Sequence, residues 1–158
     1  MIKEVTFYHL TSTPIEKALP NLVFKIYETQ DRVLLICKDS QQLQELNDIL
    51  WTFSTKKFIP HGSYDEDYPH MQPVLLSTSI DEKSNQAKVA LMLSSIDIEK
   101  NLNFQKYIYM FCGDQNNKET KEFFDLYDKY QKLGYNTKLW TLDPTGKWIN
   151  SEQKNLLA

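Results

Sequence analysis

Apolar and polar positions alternate in blocks along the chain, and the period of each block predicts its conformation. Residues 5–10 (VTFYHL) form a β-branched and aromatic run that predicts a buried first strand. Pro14 suits the first turn of a helix with Thr13 as its N-cap. Ile15, Ala18, Leu19, Leu22, Val23 and Ile26 then recur on one helical face, and Pro20 marks an expected kink or restart. Residues 32–37 (RVLLIC) are almost continuously apolar, the mark of a central parallel strand covered on both faces. Asp39 or Ser40 caps the next predicted helix, which runs to about Trp51 with Leu43, Leu46, Ile49 and Leu50 as its stripe.

The periodicity lapses between residues 52 and 73. This stretch carries three of the six prolines, Gly62 and the acidic–aromatic run Ser63-Tyr64-Asp65-Glu66-Asp67-Tyr68-Pro69-His70, and it predicts a long loop. Strands are expected again at 74–78 (VLLST), 89–93 (VALML) and 107–111 (YIYMF), with a short helix at 96–102. Asn116 with Glu119 three residues on predicts a capping box for a helix reaching Leu133, closed by Gly134. Residues 136–142 (NTKLWTL) alternate as a half-exposed last strand would, and the chain beyond Trp148 reads as a loosely ordered tail. Alternating strands and helices predict a single α/β domain over residues 1–148, with a largely parallel sheet flanked by helices and a tail at 149–158.

Composition narrows the function. The 158 residues suit one compact domain, and no apolar run approaches the roughly 20 residues of a membrane span. The N-terminus lacks a signal peptide's apolar region, and Cys37 and Cys112 match no redox or metal motif, so a reduced, cytoplasmic protein is expected. A net charge of −3, with Arg32 the only arginine, argues against direct or sequence-specific reading of nucleic acid. The four glycines (Gly62, Gly113, Gly134, Gly146) form neither a dinucleotide fingerprint nor a phosphate loop. His61 and His70, with Asp65, Glu66 and Asp67 between them, are the candidates for acid–base or metal chemistry. Two histidines nine apart on a loop do not by themselves converge as ligands, so neither metal nor cofactor is expected. Cys112, after a strand and before Gly113, reads as a structural thiol or a nucleophile short of a base.

Aromatic residues are 13% of the chain, and two groups of them invite a docking role. Trp51 and the run Phe58-Ile59-Pro60-His61-Gly62 either tuck the loop onto the sheet or present a surface to a partner. Tyr127 and Tyr130, among Lys118, Lys121, Lys129 and Lys132, are either core with a solvated lysine face or a cleft for an acidic peptide.

Three segments add a resemblance. They are Val5-Thr6-Phe7-Tyr8-His9-Leu10; Arg32-Val33-Leu34-Leu35-Ile36-Cys37 followed by Leu50-Trp51 and Phe58-Ile59-Pro60-His61-Gly62; and Tyr127-Asp128-Lys129-Tyr130-Gln131-Lys132-Leu133-Gly134-Tyr135. In order and spacing these resemble the chi subunit family of the bacterial DNA polymerase III holoenzyme, over about residues 3–148. The resemblance implies a fold like a nucleotide-binding α/β domain without a phosphate loop. It also implies a non-catalytic accessory role in the clamp-loader assembly, bridging the psi subunit and the acidic C-terminal tail of single-stranded DNA-binding protein. By position, Trp51, Phe58, Ile59, Pro60 and His61 would face psi, and Tyr127, Tyr130, Gly134 and Tyr135 would shape the tail pocket. Thr120 and Phe124 stand where that family carries basic residues, leaving Lys118, Lys121, Lys129 and Lys132 as substitutes. The competing expectation is a small α/β hydrolase or nucleotide-binding enzyme using the His61/His70 acidic loop.

Overall fold

The computed structural model describes residues 3–150, in which eight strands form one sheet with helices on both faces. The strands are β1 (Glu4–Leu10), β2 (Val33–Ile36), β3 (His61–Ser63), β4 (Val74–Ser77), β5 (Val89–Met92), β6 (Lys106–Cys112), β7 (Asn136–Leu142) and β8 (Trp148–Asn150). Their order across the sheet is β3-β4-β2-β5-β6-β1-β7-β8, and every pair is parallel except β7 with β8. Helices α1 (Ile15–Glu28) and α2 (Ser40–Thr52) pack on one face and α3 (Lys118–Lys132) on the other. The expected single-domain α/β class is therefore the observed one.

The β2–α2 unit follows its sequence closely. All four residues of β2 are buried, each contributing about 1.5–3 kcal/mol by leaving water. The Asp39 carboxylate accepts the Gln42 amide at 2.8 Å, satisfying a donor that the first helical turn leaves free. Leu43, Leu46 and Leu50 then turn toward the sheet.

Elsewhere the structure corrects the sequence reading. Pro14, not Thr13, occupies the α1 cap position, with extended backbone and no side-chain acceptor. The helix runs unbroken through Pro20, whose ring is buried against the core. Asn117 rather than Asn116 caps α3, its side chain accepting the Glu119 amide at 2.8 Å. Asp114 has already taken the amides of Asn116 and Asn117 into the preceding turn. The helix expected at 96–102 is one 3-10 turn at Ile98–Lys100. The long loop contains β3, and β7 is not the last strand. Ile149 and Asn150, expected in the tail, pair with Thr141 and Trp140, while residues 151–158 lie outside the described chain.

Candidate docking surfaces

At the β3 edge of the sheet, α2 ends and the chain loops back beneath it. Ile59 is fully buried with Leu46 and Leu50, pinning the loop, while Ser54 Oγ accepts the Lys56 and Lys57 amides at 3.1 Å. His61 is also buried, and each ring nitrogen lies at hydrogen-bond distance from a carbonyl oxygen: Nδ1 at 2.7 Å from Ile59 and Nε2 at 2.9 Å from Asn47. Trp51 lies over this imidazole with ring centroids 4.5 Å apart, and Phe58 lies 5.6 Å from Trp51. Both rings face solvent, at 52% and 58% exposure. Exposure and tucking are thus divided between neighbours. Phe58 and Trp51 project, Pro60 is half-buried, and Ile59 with His61 holds the platform from below.

The α3 side treats its aromatics differently. Tyr127 and Tyr130 are buried at 3% and 0% exposure against Phe7, with centroids at 5.4 and 6.2 Å. The Tyr130 hydroxyl accepts the Ile98 amide at 3.0 Å, donates to Asp97 Oδ1 at 3.1 Å and meets the Tyr109 hydroxyl at 2.9 Å. Burial, chiefly, pushes both phenols above their ordinary range and keeps them protonated. Lys129 is ion-paired with Asp97, and with Glu99 at 3.5 Å. Burial alone would raise the Asp97 carboxyl, but bonds from Lys129, the Glu99 amide and Tyr130 outweigh it and hold it below the usual carboxylate range.

A groove of about 590 Å³ does open between α3 and β7. Lys121, Phe124 and Tyr127 line it from the helix, Leu139 and Thr141 from the strand, and Asp125 and Asp128 also face it. Of the tail-pocket residues expected from sequence, Tyr127 and Lys121 are brought together here. Tyr130 lies beneath the surface, and Lys129 is held by Asp97. Tyr135 stacks obliquely on Tyr130 at 5.8 Å, away from the groove lining, as are exposed Lys118, Lys132 and Gly134. Gly134 serves the helix end with φ +82°, a conformation glycine adopts without strain. Leu139 and Thr141 were not foreseen. Their signal is the alternation of residues 136–142, which puts both on one face of the strand.

A match to the family described as DNA polymerase III chi subunit, HolC, covers residues 2–138. This chain belongs to that family. A relative in Rickettsia prowazekii (strain Madrid E), named "Probable DNA polymerase III subunit chi", is 33% identical over 110 residues, 70% of this chain and 66% of its own. The Haemophilus influenzae protein named "DNA polymerase III subunit chi" is 29% identical over 80 residues, 49% of this chain and 56% of its own. The chain thus spans just under two thirds and just over half of these curated relatives. A solved structure of the C-terminal part of the Fun30 ATPase domain overlaps 89% of the chain and 50% of its own, at 17% identity and a TM-score of 0.39.

In this chi-family chain the side chains at the ends of β1 and β6, where an open α/β sheet would take a nucleotide, bond to neighbouring backbone. His9 Nε2 lies 2.7 Å from the Gly113 carbonyl, and Cys112 Sγ donates to the Thr13 carbonyl at 3.3 Å. Gly113, at φ +147°, presses on the Thr120 hydroxyl where a Cβ would collide. Burial raises both thiols, Cys37 to about 12 with help from Asp39, and Cys112 with help from Glu16, the opposite of nucleophile activation. The acidic loop is likewise occupied with its own turn. Glu66 accepts the Ser63 amide at 3.1 Å, Asp65 accepts the Ser63 hydroxyl, and exposed His70 packs near Tyr68 at 6.3 Å. Among the described residues no three His, Cys, Asp or Glu side chains gather to hold a metal, and no helix is long and apolar enough to cross a membrane.

Proposed function

We propose that this chi-family chain is a non-catalytic accessory subunit of a bacterial replicase. It acts in the cytoplasm and bridges the psi subunit to the acidic C-terminal tail of single-stranded DNA-binding protein. The observation that carries the reading is the exposed Trp51–Phe58 pair seated on buried His61 and Ile59. Large aromatic groups held rigidly in solvent lose little entropy on binding, and that favours them as interface anchors. Psi would cover these rings. The tail would lie in the α3–β7 groove, its terminal apolar side chain against Phe124 and Tyr127 and its carboxylates near Lys121. Asp125 and Asp128 share that groove, so the electrostatic attraction is modest and should weaken further with salt.

The test is calorimetric titration of the purified protein with psi, and separately with a peptide copying the tail. Trp51→Ala or Phe58→Ala should weaken psi binding by about 2 kcal/mol, roughly 30-fold, and leave the tail unaffected. Lys121→Glu should weaken only the tail, at low salt more than at high. Wild-type psi affinity in both folded aromatic variants overturns the psi assignment, and wild-type tail affinity in Lys121→Glu overturns the groove assignment.

A further inference from the structure

The groove between α3 and β7 carries its charges in a fixed order. Lys121, Phe124, Asp125 and Asp128 stand at i, i+3, i+4 and i+7 of α3, which is one stripe of a helix, and all four line the groove. At 1.5 Å of rise per residue, Asp125 lies about 6 Å and Asp128 about 10 Å along the axis from Lys121. All three charged side chains are exposed. Among the described residues the ion pairs are those of Lys129 with Asp97 and Glu99, and they involve none of the three.

No neighbouring element offsets this order. The β7 wall presents Leu139 and Thr141, while Lys138 and Trp140 alternate onto the opposite face of the sheet and line another cavity. Glu122 turns away from the groove, its carboxylate accepting the Ser95 hydroxyl at 2.8 Å. One cation against two carboxylates leaves the lining with an excess of one negative charge. Lys121 stands in the first turn of α3, where the helix N-terminus adds partial positive charge. The groove is thus positive toward the start of α3 and negative farther along it.

We infer that Asp125 and Asp128 fix the charge pattern of the peptide this groove admits, an inference that rests on the acidic tail lying there as proposed above. A carboxylate of the tail is accepted opposite Lys121. An extended peptide advances about 3.3 Å per residue, so the residues two and three places away lie opposite Asp125 and Asp128, and there the groove favours neutral or basic side chains. Repulsion of a wrong pattern is as effective a source of specificity as attraction of the right one. Two unit charges about 7 Å apart in water alter affinity about three-fold, so the pair of aspartates changes it by up to about ten-fold at low salt and by less as salt rises.

The test is a charge scan by calorimetric titration at low salt. The tail peptide is made with each acidic residue in turn replaced by lysine, and with all of them replaced. Each peptide is titrated into wild type, Asp125→Asn/Asp128→Asn and Lys121→Glu. Both aspartates are exposed, so the double variant should melt as wild type does. It should bind the unaltered tail about three- to ten-fold more tightly than wild type does. At least one singly substituted peptide should bind wild type more tightly than the unaltered tail, and that gain should vanish in the double variant. Unchanged tail affinity in the double variant overturns the inference. So does a scan in which every lysine weakens binding to wild type, or in which the fully substituted peptide binds best. Lys121→Glu separates this failure from that of the tail reading. A loss there with indifferent aspartates keeps the tail in the groove and removes only their selective role, whereas indifference in both variants, or no binding at all, removes both.

Discussion

The β3 edge and the α3 helix both concentrate aromatic residues, and they use them in opposite ways. At the β3 edge Trp51 and Phe58 stand in water above a buried histidine, while along α3 Tyr127 and Tyr130 vanish into the core. The difference lies in what each segment has to cover. α3 spans β6, β1 and β7, whose α3-facing residues include Phe7, Tyr109 and Leu139, so its aromatic stripe is consumed by the sheet. The chain after α2 has only a three-residue edge strand beside it, and buried Ile59 suffices to close that corner. Of these two aromatic groups, the one left in solvent is the one beside which the sheet has run out.

The sharpest way to break this comparison is truncation on both sides. Tyr130→Ala should destabilise the fold by about 3–5 kcal/mol in urea unfolding, as removal of a fully buried ring does. Trp51→Ala should cost less than about 1 kcal/mol of stability while losing about 2 kcal/mol of psi affinity. Equal stability losses at the two sites would erase the distinction. It also follows that Tyr127→Ala is a poor test of tail binding, because a loss of affinity would be mixed with a loss of fold.

A smaller change separates ring from hydroxyl. Tyr130→Phe keeps the packing but strands the Ile98 amide, and should cost about 1–3 kcal/mol in the same assay. A neutral result would mean that water replaces the hydroxyl. The smallest expected effect is electrostatic. The Asp97 carboxyl is lowered in the folded state, so its bonds to Lys129 and Tyr130 stabilise the protein above the unfolded carboxylate value near 4. That contribution is lost as pH falls through the lower folded value. Wild type should exceed Asp97→Asn by less than the Tyr130→Phe effect at pH 7, and the gap should close in acid. A gap that persists well below pH 3 would show that shape rather than charge holds the 3-10 turn to α3.

Local pattern was enough wherever one element carried its own signal. The dense apolar run of β2 and the leucine stripe of α2 read directly, and the cap was narrowed to Asp39 or Ser40, because propensity, capping and period agree there. The strands β3 and β8 did not, since three residues with a glycine or an isolated tryptophan have no period of their own and exist only through β4 and β7. The groove beside α3 was half legible. Tyr127 and Lys121 come from the helix, while Leu139 and Thr141 arrive from a strand whose position depends on β1.

The sequence by itself determined the alternation of strand and helix, the parallel core strands and the lack of a glycine-rich phosphate loop, because each is a property of neighbouring residues. Only the tertiary structure decided which aromatic rings and lysines are free. Asp97, 32 positions away, takes Lys129, the Ile98 amide takes Tyr130, and the end of α2 lifts Trp51 over His61. Exposure is set by what lies across the interface, and that partner is fixed by the order of the strands and not by their composition.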